Sequence, residues 1–166
     1  MKGKYLLLGS NVGNREKYLQ EARLKIAKHI GAVINMSSIY LTEPWGFQDQ
    51  SPFYNQIIQV ETHLSPLDTL NAILAIEKVI GRIRTGKWKE RIIDIDILYF
   101  EDNIINEREL TIPHPGIPDR RFVLEPLCEL IPDAIHPVLK MSNKELLNNT
   151  NDPLKVERVK SPGDLD

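Results

Sequence analysis

The chain contains few cysteine and histidine residues and no long apolar run. Of its 166 residues, one is a cysteine and four are histidines. One cysteine excludes an internal disulfide framework and favours a reducing compartment. The histidines show no spacing typical of a zinc site; they are His29, His63, His114 and His136.

Other common signals are also missing from the sequence. No stretch approaches the roughly 20 apolar residues of a membrane span, and the N-terminus shows no signal-peptide pattern. The formal net charge of −2 argues against a general nucleic-acid binder, because such proteins are usually basic. We therefore expect a cytoplasmic protein without a membrane or nucleic-acid partner.

The length and composition fit one globular domain. Hydrophobic residues make up 42% of the chain and charged residues 27%, as in ordinary soluble proteins. The chain is long enough for one core and short for two, and its modest charge is compatible with a monomer. We expect a single domain over residues 1–160 and a frayed tail over residues 161–166.

Apolar periodicity predicts the order β-α-β-β-α-β, with further helices near residues 121–130 and 143–148. The first strand is predicted to end at Gly9, and the second to cover residues 32–40 without a break. Asn14 and Ser65 are predicted to cap the two helices of this order. This order is the split βαβ, ferredoxin-like arrangement of the α+β class, with helices on one face of the sheet and a C-terminal helical extension.

Two aspartates, Asp94 and Asp96, lie one residue apart in the β-branched segment that forms the last predicted strand. Residues two apart in a strand point to the same face, so these carboxylates project side by side. At roughly 6 Å they repel by about 3 kcal/mol at an effective dielectric near 20, which a cation between them would offset. The pair predicts a magnesium–phosphate site, although a solvated polar strand face is the alternative.

A basic loop precedes this strand and carries cations that could meet the phosphates of a nucleotide. Trp88 lies in the same loop and either covers a flat ligand or packs on the domain edge. A second loop, with Trp45 and Phe53, suggests a planar heterocycle whose edge Thr42 and Asn55 could read. The cations are Arg82, Arg84, Lys87, Lys89 and Arg91.

Two other features are open between a structural and a functional interpretation. Gly9–Asn14 superficially suggests a phosphate loop but lacks the Gly-Lys-Ser/Thr ending and the three-glycine Rossmann spacing, so we interpret it as a turn with a helix cap. His114, in a proline-rich turn, either donates to a phosphate or packs there.

These segments, in this order and spacing, resemble the 6-hydroxymethyl-7,8-dihydropterin pyrophosphokinases, a family of folate-biosynthesis enzymes. The resemblance covers about residues 4–150. Its marks are Leu8-Gly9-Ser10-Asn11-Val12-Gly13, Thr42-Glu43-Pro44-Trp45-Gly46, Phe53-Tyr54-Asn55, Arg91-Ile92-Ile93-Asp94-Ile95-Asp96-Ile97-Leu98 and Leu110-Thr111-Ile112-Pro113-His114-Pro115, followed by Arg120-Arg121-Phe122.

The resemblance implies transfer of pyrophosphate from ATP, the co-substrate, to the hydroxymethyl oxygen of the pterin, with release of AMP. It implies that Asp94 and Asp96 hold two Mg²⁺ ions and that Arg82 and Arg91 assist catalysis. Nucleotide-binding positions would be Glu77, Arg84, Trp88, Arg91, Ile97, Thr111, His114 and Arg120. Pterin-binding positions would be Thr42, Pro44, Trp45, Phe53, Asn55, Trp88 and Phe122, with Phe53 standing where relatives have a tyrosine.

Two other functions compete with this one. A palm-like nucleotidyl transferase also places paired aspartates and two metals on a ferredoxin-like sheet, but it releases inorganic pyrophosphate instead of AMP. A non-catalytic ferredoxin-like binding module predicts that Asp94→Asn or Asp96→Asn leaves binding nearly intact.

Overall fold

The computed structural model describes residues 3–43, 51–82 and 91–165. In the first half of the chain, the strands and helices follow the predicted order. They are β1 (Lys4–Ser10), α1 (Arg15–His29), β2 (Ala32–Met36), β3 (Ile39–Thr42), β4 (Phe53–Glu61), α2 (Pro66–Ile80) and β5 (Asp94–Phe100). The second half adds β6 (Ile105–Asn106), β7 (Thr111–Ile112), α3 (Arg121–Leu130), α4 (Asn143–Asn149) and β8 (Val156–Lys160).

The main sheet has the strand order β5-β1-β4-β3-β8, with β2 also paired to β4. The pairs that these strands make are antiparallel, and β1 lies between β4 and β5. This central position of β1 is the split βαβ arrangement predicted from the sequence. It brings the end of β1 beside the start of β5, where the two aspartates lie.

The single strand predicted over residues 32–40 is interrupted at Ser37 and Ser38. Ser37 donates its backbone N–H to the Ile57 carbonyl at 2.8 Å, while its hydroxyl accepts from the Ile57 N–H at 2.9 Å. The hydroxyl thus takes the place of a ladder acceptor, so β2 and β3 form separate segments along β4. The prediction that β1 ends at Gly9 is also wrong, because Gly9 is paired on both sides and the strand continues to Ser10.

Each face of the sheet packs against two helices. On one face, α1 and α2 bury an aliphatic core with alternate residues of β1, β4 and β5, among them Leu6, Leu8 and Ile58. On the other face, α3 and α4 pack on Tyr5 and Leu7 of the central strand. The helices α1 and α2 lie on one face, as predicted, and the C-terminal extension covers the opposite face.

Local signals set the helix boundaries. The Asn14 side chain accepts from the Lys17 N–H at 3.1 Å, and Ser65 accepts from the Asp68 N–H at 3.1 Å, so both predicted caps are confirmed. Pro66 follows its cap in the first helical position. Gly81 ends α2 in a left-handed conformation at φ 113°, which aims the chain toward Arg82.

The C-terminal residues add an edge strand that the sequence did not predict. β8 pairs with β3, placing Val156 opposite Thr42. Where the sequence predicts a frayed tail, Pro162–Asp164 form a short 3-10 helix, and Leu165 packs partly against the main core. Within the three described ranges, no helix has the length and hydrophobicity needed to cross a membrane.

Candidate active site

A row of paired residues crosses four strands of the sheet, on the face that α3 and α4 cover. Asp94 on β5 pairs with Gly9 on β1, Gly9 pairs with Asn55 on β4, and Asn55 pairs with Tyr40 on β3. Direct cross-strand neighbours point to the same face, and adjacent strands lie about 4.8 Å apart. The backbones of Asp94 and Asn55 are therefore about 10 Å apart, with Gly9 between them.

Gly9 forms the floor of this row. A Cβ atom at Gly9 would lie 2.7 Å from the Asn55 side-chain oxygen and 3.5 Å from the Phe53 ring. Such a close approach requires a residue without a side chain. Glycine at this position lets the Asn55 side-chain oxygen and the Phe53 ring lie close over β1, beside the pair partner of Asp94.

Two arginines bind the Asp94 carboxylate, one at each oxygen. Arg82 donates to Oδ1 at 2.7 Å and Arg91 donates to Oδ2 at 2.8 Å. Arg82 is 9% exposed, and its guanidinium also donates to Glu77 at 2.6 Å. The sequence placed these arginines at the two ends of the basic loop, and the structure brings both to the same aspartate.

Glu77 lies beneath this ion pair and joins α2 to β5. Its carboxylate accepts from Arg82 and, at 2.9 Å, from the backbone N–H of Ile95. Burial raises the pKa of Glu77, while the Arg82 charge and the Ile95 hydrogen bond oppose that rise. Glu77 thus fixes the start of β5 through Ile95 and positions Arg82 at the predicted nucleotide-binding region.

Asp96 projects on the same face as Asp94, as the alternation of the strand predicts. The pKa of Asp96 is raised. Burial is the largest cause, and the negative charges of Asp94 and Glu77 raise it further. The positive charges of Arg120 and Arg91 act in the opposite direction. A half-buried carboxylate next to a second carboxylate is a place where an added cation would be stabilising.

Arg120 approaches the aspartate pair from the segment that precedes α3. Its guanidinium packs over Gly116, where a Cβ would lie 2.8 Å from the Arg120 Cζ, and lies 5.9 Å from the Phe122 ring centroid. Burial lowers the pKa of Arg120, and the charges of Asp96, Asp119 and Asp94 oppose that change. Arg120 therefore adds a third arginine to the predicted phosphate region.

His114 is held beside β5 by its own backbone. Its N–H donates to the Leu98 carbonyl at 2.9 Å, and its Nδ1 accepts from the Gly116 N–H at 3.0 Å. Burial and the positive charge of Arg120 lower the pKa of His114 to about 4. The ring is therefore neutral at physiological pH, with Nε2 carrying the proton, so it can act as a hydrogen-bond donor.

The structure places Ile97 and Thr111 differently from each other. The Ile97 side chain is buried in the main core, on the face away from the aspartates, so it does not line the site. The Ile95 N–H donates to Glu77 and points away from β1. Because alternate residues of a strand direct their N–H and C=O groups to the same side, those groups of Ile97 also point away from β1. Thr111 is exposed on β7, three residues before His114.

The predicted pterin-binding residues on β3 and β4 lie together. The Asn55 amide donates to the Thr42 hydroxyl at 2.6 Å, and both residues are buried. Phe53 pairs with Thr42 across the strands and lies next to Gly9. Phe122 lies at the start of α3, over the same face of the sheet. The other predicted residues, Pro44, Trp45, Arg84 and Trp88, lie outside the described residues.

The donor set fits a magnesium–nucleotide site and does not fit a site made by protein alone. In the part of the chain that the structure describes, no three His, Cys, Asp or Glu side chains are close enough to hold a metal ion together. Mg²⁺ is usually bound by one or two carboxylates, with the remaining positions filled by phosphate oxygens and water. Asp94 and Asp96 supply that number of carboxylates.

Sequence reasoning missed the role of Asn11. Its side-chain oxygen accepts from the Arg91 N–H at 2.7 Å, and its amide donates to the Ser51 carbonyl at 3.1 Å. The Asn11 N–H also donates to the Arg91 carbonyl at 3.1 Å. The sequence pattern assigns Asn11 to a turn, and its position as a polar residue directly after β1 is the one signal that points to this role.

The sequence model of one protein family matches most of the chain. That family is described as 7,8-dihydro-6-hydroxymethylpterin-pyrophosphokinase (HPPK), and the match covers residues 5–132. The matched region contains the described candidate residues on β1, β3, β4, β5 and α3.

Several characterised proteins are similar to the chain over most of its length. The 2-amino-4-hydroxy-6-hydroxymethyldihydropteridine pyrophosphokinase of Aquifex aeolicus is 39% identical over 85% of this chain and 88% of its own length. The protein of the same name from Methylorubrum extorquens is 38% identical over 96% of this chain and 99% of its own. The chain is also 40% identical to the Schizosaccharomyces pombe folic acid synthesis protein fol1, of which it spans 20%.

Solved structures share the fold at low sequence identity. The crystal structure of Plasmodium falciparum HPPK-DHPS with pteroate superposes with a TM-score of 0.72 at 21% identity, over 87% of this chain and 41% of that chain. A second structure of the same wild-type protein gives a TM-score of 0.71 at 22% identity, over 87% of this chain and 44% of that chain. The predicted fold class is confirmed.

Proposed function

The chain belongs to the 7,8-dihydro-6-hydroxymethylpterin-pyrophosphokinase family, and from this we propose that it transfers pyrophosphate from ATP to the hydroxymethyl group of 6-hydroxymethyl-7,8-dihydropterin, releasing AMP. The observation that carries the proposal is the row Asp94–Gly9–Asn55 across three strands. It places a charged end, suited to phosphates, on a strand about 10 Å across the sheet from the strand whose amide can read a heterocycle, with a glycine between them.

The charged end of the row binds the triphosphate. Arg82 and Arg91 are fixed by Asp94, and Arg120 adds a third guanidinium on the Asp96 side. Phosphoryl-type transfer depends chiefly on positioning and on neutralising charge, and rigid guanidinium groups supply both. When phosphates enter, the arginines exchange part of their contact with Asp94 for contact with phosphate oxygens.

Asp94 and Asp96 hold the magnesium that accompanies the nucleotide. When bound, two Mg²⁺ ions would orient the triphosphate, polarise the attacked phosphorus and favour ionisation of the pterin hydroxyl. The two carboxylates provide the protein ligands from one strand face. Glu77 keeps the strand that carries them in register with α2.

The adenine end of ATP lies along the outer edge of β5. That edge carries the backbone groups of Ile97, which point away from β1, and the side chains of Thr111 and His114 lie beside it. The neutral His114 ring offers a donor at Nε2, since its Nδ1 already accepts from Gly116. The buried Ile97 side chain takes no part in this contact, so its role is carried by its backbone.

The pterin lies over Gly9. Asn55 faces the edge of the ring and is oriented by its hydrogen bond to Thr42, while Phe53 and Phe122 supply aromatic surface. The hydroxymethyl group points toward Asp94, where the phosphates are held. Chemistry then follows from proximity, because the row fixes both reactants on one rigid sheet. We further propose that the protein works as a cytoplasmic monomer.

A ³¹P spectrum tests the proposal directly. Protein incubated with ATP, Mg²⁺ and hydroxymethyldihydropterin should produce AMP and a pterin diphosphate, and no reaction should occur without pterin. Inorganic pyrophosphate released without pterin would instead identify a nucleotidyl transferase. Binding of both ligands with no turnover would identify a binding module, and either result would overturn the proposal.

A further inference from the structure

Glu129, in the last turn of α3, accepts several hydrogen bonds from β3 and from Ser38, the residue before it. Its two oxygens accept from the Ser38 N–H at 3.0 and 3.1 Å, and Oε1 also accepts from the Ser38 hydroxyl at 2.8 Å. Oε2 accepts from the Tyr40 hydroxyl at 2.6 Å. These are charge-assisted hydrogen bonds, which are roughly twice as strong as bonds between neutral groups, and they join the helix to the strand.

The C-terminal strand completes this cluster. Arg158 of β8 lies 3.8 Å from Glu129 Oε2, donates to the Tyr40 hydroxyl at 3.4 Å, and has its Cζ 5.8 Å from the Tyr40 ring centroid. Burial raises the pKa of Tyr40 to about 12, and the hydrogen bond to Glu129 adds to that rise. Tyr40 is therefore a neutral donor at physiological pH.

Geometry connects this cluster to the pterin-binding residues. Phe122 and Glu129 are seven residues apart, which is two helical turns and about 10 Å along the same face of α3. Tyr40 and Thr42 are two residues apart on the same face of β3. Asn55 lies directly opposite Tyr40 and donates to Thr42. The C-terminal end of α3 is thus bound to β3 at Tyr40, and the same strand binds the Asn55 amide at Thr42.

We propose that Glu129 is a positioning residue for the pterin: its hydrogen bonds to Ser38 and Tyr40 fix the distance between Phe122 and the Thr42–Asn55 pair, and so the width of the slot for a flat heterocycle. This inference rests on the proposed function. Glu129 touches neither substrate. It acts through α3, whose first residue is also anchored by the Arg121 N–H donating to Asp152 at 2.8 Å.

Steady-state kinetics with both substrates tests this role. Tyr40→Phe removes one hydroxyl and keeps the ring, and we expect it to raise the KM for pterin about tenfold, with the KM for ATP unchanged. Glu129→Ala should raise the pterin KM further. Glu129→Gln keeps an acceptor for the Ser38 N–H, so its pterin KM should lie between those of the wild type and Glu129→Ala.

Tyr99→Phe is the matched control, because Tyr99 is also buried and its hydroxyl donates to Asn143 at 2.7 Å, toward α4. Both phenylalanine variants should lose a similar amount of thermal stability, but only Tyr40→Phe should alter the pterin KM. If Glu129→Ala fails to fold, Tyr40→Phe decides the question.

The outcomes separate the inference from the proposed function. Wild-type turnover together with an unchanged pterin KM in Tyr40→Phe overturns the role of Glu129 alone, as does an equal rise in Tyr99→Phe. A wild-type protein that produces no AMP from ATP and pterin overturns both.

Discussion

The side-chain oxygen of Asn11 accepts a hydrogen bond from the backbone N–H of Arg91 at 2.7 Å. The two residues are far apart in sequence, and the same amide group also holds the Ser51 carbonyl. Arg91 in turn donates to Asp94 at 2.8 Å. The buried Asn11 side chain thus fixes the backbone position of Arg91, one of the arginines of the proposed phosphate site. Asn11 itself does not contact that site.

Asn11→Ala should lower kcat about tenfold and reduce the free energy of unfolding by about 1–3 kcal/mol, because it leaves the half-buried Arg91 N–H without its acceptor. Asn11→Asp keeps that acceptor and removes the donor to Ser51, so its kcat should fall less. Asn143→Ala is the matched control, since Asn143 is a buried asparagine bonded to Tyr99 and Ile131. It should lose similar stability and keep kcat; an equal fall in kcat would refute the role of Asn11.

Asp94→Asn and Asp96→Asn should each lower turnover by about a hundredfold or more, because each removes a proposed magnesium ligand. Their stabilities should differ. Asp94→Asn deprives Arg82 and Arg91 of their shared carboxylate and should lower the melting temperature, whereas Asp96→Asn removes a charge repelled by Asp94 and should not. Calorimetry and an AMP assay measure the two effects, with the exposed Asp133→Asn as the control. Near-normal turnover in either site variant would contradict the magnesium assignment.

Gly9→Ala should weaken pterin binding, since the new methyl group would lie 2.7 Å from the Asn55 side-chain oxygen and push it from its position. The KM for ATP should change much less, because the methyl group lies on the pterin side of the row. A titration of pterin fluorescence measures the affinity. Gly163→Ala is the matched control, because a Cβ there meets no atom within 4 Å. Equal affinities for the two variants would show that the floor at Gly9 is not part of the pterin site.

His114 should make the protein less stable in acid. Its folded pKa of about 4 lies below the ordinary value of 6.5, so the unfolded chain binds the proton more readily between these values. The associated stability is complete above pH 6.5 and is lost as the pH falls toward 4, by about 2 kcal/mol at pH 4.5. His114→Asn keeps an acceptor for the Gly116 N–H and should show a smaller loss between pH 7 and 4.5 in denaturant titrations.

The exposed His63→Asn serves as the control for that experiment and should follow the wild-type pH dependence. If His114→Asn loses as much stability in acid as the wild type does, His114 is not held neutral in the folded protein.

The sequence was sufficient for features that depend on neighbouring residues. Alternation in β5 put Asp94 and Asp96 on one face, and the caps at Asn14 and Ser65 follow from side chains that bond three residues ahead. The order of strands and helices limited the fold to the split βαβ arrangement, because short connections and right-handed crossovers leave few alternatives. Similarity to a known family added the substrates, which periodicity alone could not supply.

Tertiary structure decided what depends on contacts between distant segments. The predicted split βαβ arrangement puts β1 between its neighbours but does not fix which residues face each other, so the position of Gly9 between Asp94 and Asn55 followed only from the register of β1 with β4 and β5. The same holds for Asn11 with Arg91 and for Glu129 with Tyr40. These hydrogen bonds join residues that only the packed sheet and helices bring within reach. The local pattern therefore specified the chemical groups, and the fold specified the distances between them.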